Sequence, residues 1–498
     1  MFKLKRVLYL LVVLPMILST FASCGTKSSV EDSKSKDEPY TVNFVYHAPK
    51  EGNQAEVNEA INKITLEELN MKVNLIPMSF DTYNQKMPIL LASKEPMDIS
   101  FLFTWNYASF LDAGYIVNAA DYKDYTKDIY KTLGEDAEAG YIGDTLLGFP
   151  MNNSRSMPSG IFVRKDIFDE LGYKESDFNV TTDDYSSFDQ LTQMFAKIKE
   201  KYPTITPFDG HRTMGVNYSS YVDGFGDTFG VLENYGQEMK VTNWFESNQY
   251  KQFALLNRKW FTSGYTSKDI AVQQELGQVK MKAGSCASFF ASYGPNWRTD
   301  VKSQTGYDTV LIPVSSKLKS TSVVNGCLNS VMYQSQNKEK AFEFLNWAYT
   351  NADFNNILNW GIEGRDWVLN ADGQAEYPEG ITAQNVKYHE DFGFIYPNQY
   401  LMYPWTGSPK NIWDLTKNFD SDAIISKAFG FSFDPASVAN EVQQCNTVLA
   451  KYESSICYGA VDSEKGLTDM NKELYDAGLQ KIIDEKQRQM DEWMVKKK

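Results

Sequence analysis

Short apolar runs alternate with longer amphipathic segments along this chain. Segments 40–47, 71–77 and 98–103 are apolar runs of strand length, and they predict three strands. The segments between them predict helices: one carries apolar residues at helical spacing, and the other spans 81–93, before Pro96. The spaced residues of the first helix are Val57, Ala60, Ile61 and Ile64. This order of strands and helices predicts a parallel sheet with right-handed crossovers.

The same pattern restarts after Pro150. It predicts strands over 160–164, 286–291 and 309–314, and helices over 165–171, 186–201 and 337–359. The last thirty residues or so, 467–497, predict two amphipathic helices with a break at Gly478. A single hydrophobic core stops growing at roughly 250 to 300 residues, so a chain of 498 residues should form at least two lobes.

The N-terminus has the layout of an export signal. Basic residues at 3, 5 and 6 precede a twelve-residue apolar run over 7–18, and small residues lead to Cys24. The run suits a signal peptide and is shorter than the ~20 residues that span a bilayer. The pattern resembles a bacterial lipobox, with Phe21 where leucine is usual. We expect a signal peptide over 1–23, palmitate or other lipid on Cys24, and a flexible polar tether over 24–39.

Charge and motif content narrow the function. The net charge of −15 opposes binding to nucleic acid. The chain has three histidines without metal-binding spacing, and no GxSxG, HExxH or P-loop motif. We therefore predict no catalytic residue, metal site or cofactor. A carboxylate pair of the glycoside hydrolase kind remains open, because it depends on a distance in the fold.

Two further features have simple interpretations. The cysteines at 286, 327, 445 and 457 lack a CxxC pattern, and we interpret them as buried free thiols, although sequence alone leaves three pairings open. The glycine-rich segment 223–230 lacks the strand-to-helix context of a phosphate-binding loop, so it predicts a turn.

Aromatic residues follow the predicted strands. Trp105 comes directly after the third strand, and Tyr293 and Trp297 follow the strand at 286–291. Ligands of open parallel sheets bind beyond the carboxyl ends of the strands. A sugar ring needs a flat apolar surface beside hydrogen-bonding groups, and these loops offer both. Core packing is an equally good interpretation of any single aromatic residue.

The chain resembles the bacterial extracellular solute-binding proteins that serve ABC importers, specifically the carbohydrate-binding family one. The segment 97–105 is similar to the family's P-D-I strand and aromatic loop, and 293–297 is similar to its G-P-W loop, with Asn296 inserted before Trp297. Gly148-Phe149-Pro150 resembles the first crossing between lobes. From Phe429 onward the chain is similar to the LplA-like subgroup, which carries a C-terminal domain of unknown function.

The resemblance implies an α/β, type II periplasmic-binding-protein fold with two lobes, parallel-rich sheets and a multi-strand hinge. Lobe one would comprise 40–152 and 306–336, lobe two 153–305 and 337–428, and a largely helical C-terminal domain 429–498. We expect ligand contacts from two main stacking residues and from a set of secondary platforms and hydrogen-bonding groups. The main residues are Trp105 and Trp297; the others are Asn106, Tyr107, Asn152, Arg155, Tyr293, Trp360, Glu363, Asp366 and Trp405.

The implied function is that of a non-catalytic, monomeric receptor, lipid-anchored outside the cytoplasm. It would close its lobes on a carbohydrate, expected to be an oligosaccharide, and deliver it to the permease of an ABC importer. Two alternatives stay open: a surface-tethered glycoside hydrolase, and a receptor for a peptide or another small solute.

Overall fold

The computed structural model describes residues 38–48, 53–93, 95–210 and 221–497. The predicted signal peptide and Cys24 lie outside these residues. The strands are β1 (Tyr40–His47), β2 (Met71–Met78), β3 (Ile99–Phe103), β4 (Tyr141–Ile142), β5 (Thr145–Leu146), β6 (Phe149–Pro150), β7 (Ser159–Arg164), β8 (Ser288–Ser292), β9 (Thr309–Pro313), β10 (Leu318–Lys319), β11 (Cys327–Val331), β12 (Val368–Leu369), β13 (Ala375–Glu376) and β14 (Ile424–Ile425).

The α-helices of six or more residues within the described ranges are distributed along the whole chain. None of them has both the length and the apolar character that a bilayer-spanning helix needs. Their bounds are Gln54–Leu69, Phe80–Ser93, Tyr107–Asp112, Lys127–Leu133, Lys165–Glu170, Asp189–Lys201, Asn248–Thr262, Gly277–Lys282, Trp297–Thr305, Lys338–Ala348, Ala352–Trp360, Ile412–Asp420, Ala439–Cys457, Ser463–Asp476 and Leu479–Lys497.

The first lobe is built on a five-stranded sheet in the order β2-β1-β3-β11-β6. β1 pairs in parallel with β2 and β3, and β11 runs antiparallel to β3 and β6. All five residues of β3 are buried, as expected for a strand covered on both faces. The predicted parallel sheet over 40–103 is therefore confirmed.

The second lobe contains a three-stranded sheet in the order β8-β7-β9. β7 runs antiparallel to both neighbours. The expectation of parallel-rich sheets in both lobes therefore holds only for the first lobe. The difference arises because β7 and its partners are far apart in sequence, and the hydrophobic pattern of a strand does not report its direction.

Two separate hydrophobic cores define the lobes, and they correct the predicted boundaries. The first core draws its residues from 42–151 and 328–402, and the second from 161–314 and 428–490. β9 was expected in lobe one, but it pairs with β7 in the second sheet. Segment 337–402 was expected in lobe two, but its helices bury Phe344 and Phe354 in the first core. The long helix predicted over 337–359 is divided at Asn351, whose side chain caps the second helix by accepting from Phe354 N.

The chain passes between the cores at 152–158, 315–326 and 403–427, and polar contacts join these crossings. Asp420, in the third crossing, accepts hydrogen bonds from Ser154 Oγ at 3.0 Å and from Ser156 Oγ at 2.7 Å, both in the first. β10 and β14 pair the second crossing with the third. The junction combines these hydrogen bonds with a small buried cluster of Ala139, Val324 and Phe429. Hydrogen bonds of this kind suit a hinge.

The C-terminal segment, residues 428–497, packs into the second core instead of forming a core of its own. Cys445, Met470, Leu479, Ile482 and Met490 are buried there with residues from β7 and β9. The predicted break at Gly478 is confirmed, and the two helices flank it as Ser463–Asp476 and Leu479–Lys497. The segment is therefore part of the second lobe.

A buried ammonium group fixes the glycine-rich loop 223–230 to the last helix. Lys486 is fully buried, and its Nζ donates to Asp227 Oδ1 at 2.5 Å, Gly230 O at 3.0 Å and Gly224 O at 3.3 Å. These three acceptors match the three N–H bonds of the ammonium group. Burial lowers the pKa of Lys486 below its ordinary value, and the negative charge of Asp227 opposes that shift.

We predict that Lys486→Met lowers the free energy of unfolding by about 3 kcal/mol, because it leaves Asp227 and two carbonyls without their donor. Chemical denaturation measures this loss. Lys496 lies on the same helix as Lys486 and forms an exposed ion pair with Asp144. Lys496→Met is therefore the matched control and should change stability by less than about 0.5 kcal/mol. Equal effects of the two substitutions would contradict the role given to Lys486.

Candidate functional site

Three parallel strands bring aromatic rings to one edge of the first sheet. His47 is the last residue of β1, Phe80 begins the helix after β2, and Phe103 ends β3. The ring centroid of Phe80 lies 3.8 Å from that of His47 and 5.6 Å from that of Phe103. Because ligands of open α/β sheets bind beyond the carboxyl ends of the strands, this edge is a candidate site.

Phe392 and Phe394 extend this cluster. The ring centroid of Phe392 lies 4.4 Å from that of His47 and 5.7 Å from that of Phe394. Phe80 and Phe394 are 41% and 49% exposed, although phenylalanine is usually buried in a folded protein. We call Phe80, Phe392 and Phe394 the aromatic platform.

His47 supports the platform from inside the lobe. It is buried, and its Nδ1 lies 3.1 Å from the carbonyl oxygen of Met78, which can only accept, so Nδ1 carries the proton. Burial lowers the pKa of His47 to about 4. The ring is neutral near pH 7, and the platform is an uncharged apolar surface.

The second lobe contributes two half-buried aromatic residues after β8. Tyr293 packs edge-on against Phe419, with centroids 5.8 Å apart, and Trp297 packs on Phe162 at 5.7 Å. The guanidinium of Arg298 lies 4.3 Å from the centroid of the Trp297 ring. This cation–π contact covers part of the indole, so a ligand stacking on that side would have to displace Arg298.

Hydrogen bonds link this part of the second lobe to a loop beside the first. Asn296 Nδ2 donates to Ser408 Oγ at 3.2 Å, and Thr299 Oγ1 donates to Gly407 O at 3.1 Å. Asn296 Oδ1 is buried and has no hydrogen-bond partner within the described part of the chain. The two lobes therefore meet at the N-terminus of helix Trp297–Thr305.

Two carboxyl groups interact across this meeting point. The carboxyl end of Asp391 lies among protein atoms although the residue as a whole is exposed, and this burial, together with the negative charge of Asp300, raises the pKa of Asp391 to about 6. Burial also raises the pKa of Asp300, while a hydrogen bond from Asn296 opposes the shift. We call the region between the aromatic platform and the N-terminus of helix Trp297–Thr305 the gap. It combines aromatic rings, an amide and two carboxyl groups.

Reactive groups of other kinds are scarce in the described ranges. No cluster of His, Cys, Asp or Glu there could hold a metal ion. The cysteines at 286, 327, 445 and 457 are free; three are buried, as predicted, and Cys327 is half-buried. Burial raises the pKa of Cys286 to about 12 and that of Cys445 to about 11. Such thiols are poor nucleophiles. Burial lowers the pKa of His389 to about 4, and His211 lies outside the described residues.

Comparison with protein families decides the class of this protein. Residues 48–353 match the family of bacterial extracellular solute-binding proteins, and residues 427–495 match DUF3502, a domain of unknown function. The chain belongs to the bacterial extracellular solute-binding proteins. This membership confirms the resemblance that the short motifs indicated.

Relatives of this solute-binding protein cover nearly all of the chain. It is 25% identical, over 491 residues and 96% of both chains, to a carbohydrate ABC transporter substrate-binding protein of Streptococcus pneumoniae. Its structure is similar to the crystal structure of the N-glycan transport solute binding protein NgtS of S. pneumoniae, with a TM-score of 0.78 and 22% identity over 92% of this chain and 100% of that one. An HMO-binding ABC-transporter associated solute binding protein from Bifidobacterium longum infantis gives a TM-score of 0.65 and 15% identity over 91% of this chain and 99% of that one. These likenesses confirm the predicted solute-binding fold.

The three predicted site residues in the loop after β3 have different environments in this solute-binding protein. The side chain of Trp105 lies outside the described residues, so its role stays a prediction. Asn106 is half-buried, and its Oδ1 has no partner among the atoms that the structure describes. Tyr107 was expected to contact ligand, but it is buried, and its hydroxyl donates to the carbonyl oxygen of Asn325. Because Tyr107 also lines a cavity of about 260 Å³, its role as a ligand contact stays a prediction.

Asn152 and Arg155 hold the first crossing together. Arg155 is only 9% exposed, and its Nε donates to Asp136 at 2.6 Å. Asn152 Nδ2 donates to Asn398 Oδ1 at 3.0 Å. Both side chains were expected to bind ligand, but the structure uses their hydrogen-bonding groups within the protein.

The predicted group around Trp360 forms a small core beside the first lobe. Trp360 was expected as a stacking platform, but it is 3% exposed and packs against Trp405 with centroids 4.9 Å apart. Asp366 was expected to bind ligand, but it is fully buried and accepts hydrogen bonds from Arg365 and from the backbone of Ile362. Trp405 is half-buried and Glu363 is exposed, so these two stay predictions.

Sequence reasoning missed the aromatic platform. Phe80 stands just beyond the carboxyl end of β2, so the rule that singled out Trp105 and Trp297 applies to it equally. Phe392 and Phe394 follow no strand, and only the folded chain brings them to this edge. No local signal marks them.

The raised pKa of Asp391 gives a pH dependence with a defined sign. A carboxyl group whose pKa is about 6 in the folded protein, and about 4 when unfolded, makes the protein more stable as the pH falls from 7 to 5. Because the residue is exposed, we expect this contribution to be below about 1 kcal/mol.

Asp391→Asn should remove that contribution, so the variant is more stable than the wild type at pH 7.5 and equal to it near pH 4.5. Thermal unfolding across this pH range measures the difference. The exposed Asp476→Asn makes the same charge change far along the chain, on helix Ser463–Asp476, and serves as control. A pH profile of Asp391→Asn that parallels the wild type would contradict the assignment.

Proposed function

We propose that this chain is a membrane-anchored extracellular receptor that binds an oligosaccharide between its lobes and delivers it to an ABC importer. The observation that carries the proposal is a pair of aromatic surfaces, one on each lobe, that lie near each other where Asp391 interacts with Asp300. The aromatic platform lies at the strand ends of the first lobe, and Tyr293 and Trp297 lie at the end of β8 in the second. Membership of the extracellular solute-binding family supports the location and the role as a receptor.

The chemistry of the gap suits a carbohydrate. The C–H face of a sugar ring packs on flat aromatic rings, and its hydroxyls need fixed donors and acceptors. Asn296, Asp300 and Asp391 supply such groups beside the rings. Each aromatic contact contributes about 1 kcal/mol beyond area burial, and micromolar binding needs about 8 kcal/mol. Several rings must therefore act together, which favours an oligosaccharide over a single sugar.

The two-lobed architecture explains how binding would be signalled. Each lobe has its own core, and polar contacts join the crossings. A ligand that contacts both lobes stabilises the closed state over the open one by its additional contacts. The permease of the importer would then distinguish the closed, loaded receptor from the open one.

Two relatives suggest the first ligands to test. The S. pneumoniae relative is described as a carbohydrate ABC transporter substrate-binding protein, and NgtS has been solved in complex with Man1GlcNAc and with Man5GlcNAc. We infer that a mannose-containing N-glycan fragment is the class of sugar that this chain binds.

Isothermal titration calorimetry on residues 25–498 tests the proposal. We expect saturable binding of Man5GlcNAc, and a loss of affinity of about tenfold in Phe80→Ala and in Trp297→Ala, since each removes one ring with its packing. Trp105→Ala should behave in the same way. Tyr125 is exposed on another part of the first lobe, so Tyr125→Ala is the matched control and should bind like the wild type.

Two possible negative results of the titrations contradict different parts of the proposal. Unchanged affinity in both Phe80→Ala and Trp297→Ala would contradict the site. Binding of a peptide library but of no mono- or oligosaccharide would contradict the carbohydrate assignment and favour the peptide alternative.

The hydrolase alternative rests on the carboxyl pair Asp300 and Asp391. A glycoside hydrolase uses one raised-pKa carboxyl group as its acid, and Asp391 has this property. We expect Man5GlcNAc to be recovered intact after prolonged incubation, as measured by mass spectrometry. Cleaved product that disappears in Asp391→Asn would instead establish hydrolysis.

The anchor is tested separately on Cys24, which lies outside the described residues. We predict that the full-length chain, expressed in a bacterium, fractionates with membranes and incorporates labelled palmitate. Cys24→Ser should be released in soluble form and carry no label, because lipid needs the cysteine thiol. Membrane association that survives the substitution would contradict lipid attachment at Cys24.

A further inference from the structure

A cavity of about 260 Å³ lies beyond the carboxyl end of β3. Thr104 and Ala108 form its first-lobe wall. The glycine-rich loop contributes Phe225 and Asp227, and the C-terminal segment contributes Phe431, Ser432 and Phe433. The cavity thus lies between the lobes, at the same sheet edge as the aromatic platform, and the C-terminal segment closes it.

The lining has the composition of a sugar subsite. Three phenylalanine rings stand beside the hydroxyls of Thr104 and Ser432 and the amide of Asn325. Asn325 is 5% exposed, its Nδ2 donates to Ala139 O at 2.9 Å, and its Oδ1 has no partner in the described part of the chain. Flat apolar surfaces beside polar groups are what a pyranose ring requires.

The size of the cavity limits what it can hold. Pockets that enclose a whole drug-sized ligand measure roughly 300 to 1,000 Å³, and this one measures about 260 Å³. It therefore accommodates one ring of a longer ligand rather than an entire oligosaccharide.

The C-terminal segment sets the shape of this cavity through Lys486. The ammonium group of Lys486 holds Asp227 and lies 5.6 Å from the ring centroid of Phe225 and 5.1 Å from that of Phe433. Phe225 has a φ of +57°, a left-handed conformation that is unfavourable for phenylalanine and is retained in the loop that Lys486 holds. One buried charge thus positions wall residues from the loop and from the C-terminal segment.

We propose that this cavity is the subsite for one terminal ring of the bound oligosaccharide, and that the C-terminal segment is a ligand-binding element because it forms the outer wall. The inference rests on the proposed function. It assigns a role to the segment that matches DUF3502: to define where the glycan ends, and hence which lengths are bound.

Filling the cavity from each wall tests the proposal. Ala108→Phe fills it from the first lobe, and Ser432→Phe fills it from the C-terminal segment. In calorimetric titrations with Man5GlcNAc, each variant should bind about tenfold more weakly than the wild type. An adjoining cavity of about 700 Å³ shares Phe431 and Ser432 with this one, but Ser437 lines only the larger cavity. Ser437→Phe is therefore the matched control and should bind like the wild type.

Cysteine labelling tests the proposal if a phenylalanine variant fails to fold. Ala108→Cys places a thiol at the cavity wall, while the native cysteines are buried or half-buried and give a low background that the wild type measures. Saturating Man5GlcNAc should slow maleimide labelling of Ala108→Cys at least fivefold, and it should leave labelling of Ser437→Cys unchanged.

The outcomes separate the two proposals. Wild-type binding of Man5GlcNAc with undiminished affinity in Ala108→Phe and Ser432→Phe, or with no protection of Ala108→Cys, overturns the subsite and leaves the proposed function intact. Absence of Man5GlcNAc binding by the wild type overturns the assigned ligand class, and the subsite with it.

Discussion

Two hydrophobic cores that share no buried side chain underlie the rest of this structure. Each core is covered by its own sheet and helices, and the described chain passes between them through crossings tied by hydrogen bonds. A small buried cluster of Ala139, Val324 and Phe429 joins the first lobe, the second crossing and the C-terminal segment, while the surfaces beside it keep exposed rings and polar groups. Hydrogen bonds exchange with water at low net cost, whereas interlocked apolar side chains do not. The junction can therefore bend while each lobe stays intact.

Local pattern was enough to predict much of the fold. The bounds of β1 and the break at Gly478 come directly from apolar spacing and from a residue that favours a left-handed turn. Long-range pairing was not predictable. β9 looks like any buried strand in sequence, and only its register against β7 shows that it belongs to the second lobe. Likewise, the sequence of helix Lys338–Ala348 does not predict which core its apolar face will contact.

The candidate site was predicted less well, for a related reason. Trp360 and Asp366 carry the residue types of a sugar site, yet tertiary packing buries both. Phe80, Phe392 and Phe394 are ordinary apolar residues in sequence. They become site candidates only in the folded chain, where Phe80 and Phe394 stay exposed and Phe392 stays half-buried. Burial depends on the order of strands in the sheet, and periodicity alone does not contain that order. Trp297 was predicted as a candidate because it follows a strand that was itself recognisable.

The C-terminal segment shows how a sequence-defined domain can be part of a structural lobe. Residues 427–495 match a separate family model, but their apolar side chains complete the second core. Lys486 links the segment to the loop 223–230, which contains the predicted turn. The segment is a structural part of the second lobe because it shares its core.

A crystal structure of residues 25–498 with Man5GlcNAc bound tests most directly whether the lobes hold one glycan between them. The two-lobe mechanism predicts sugar rings packed on Phe80 or its platform neighbours and, in the same molecule, on Trp297 of the opposite lobe. A glycan that contacts only one lobe, or that lies outside the gap, would contradict it.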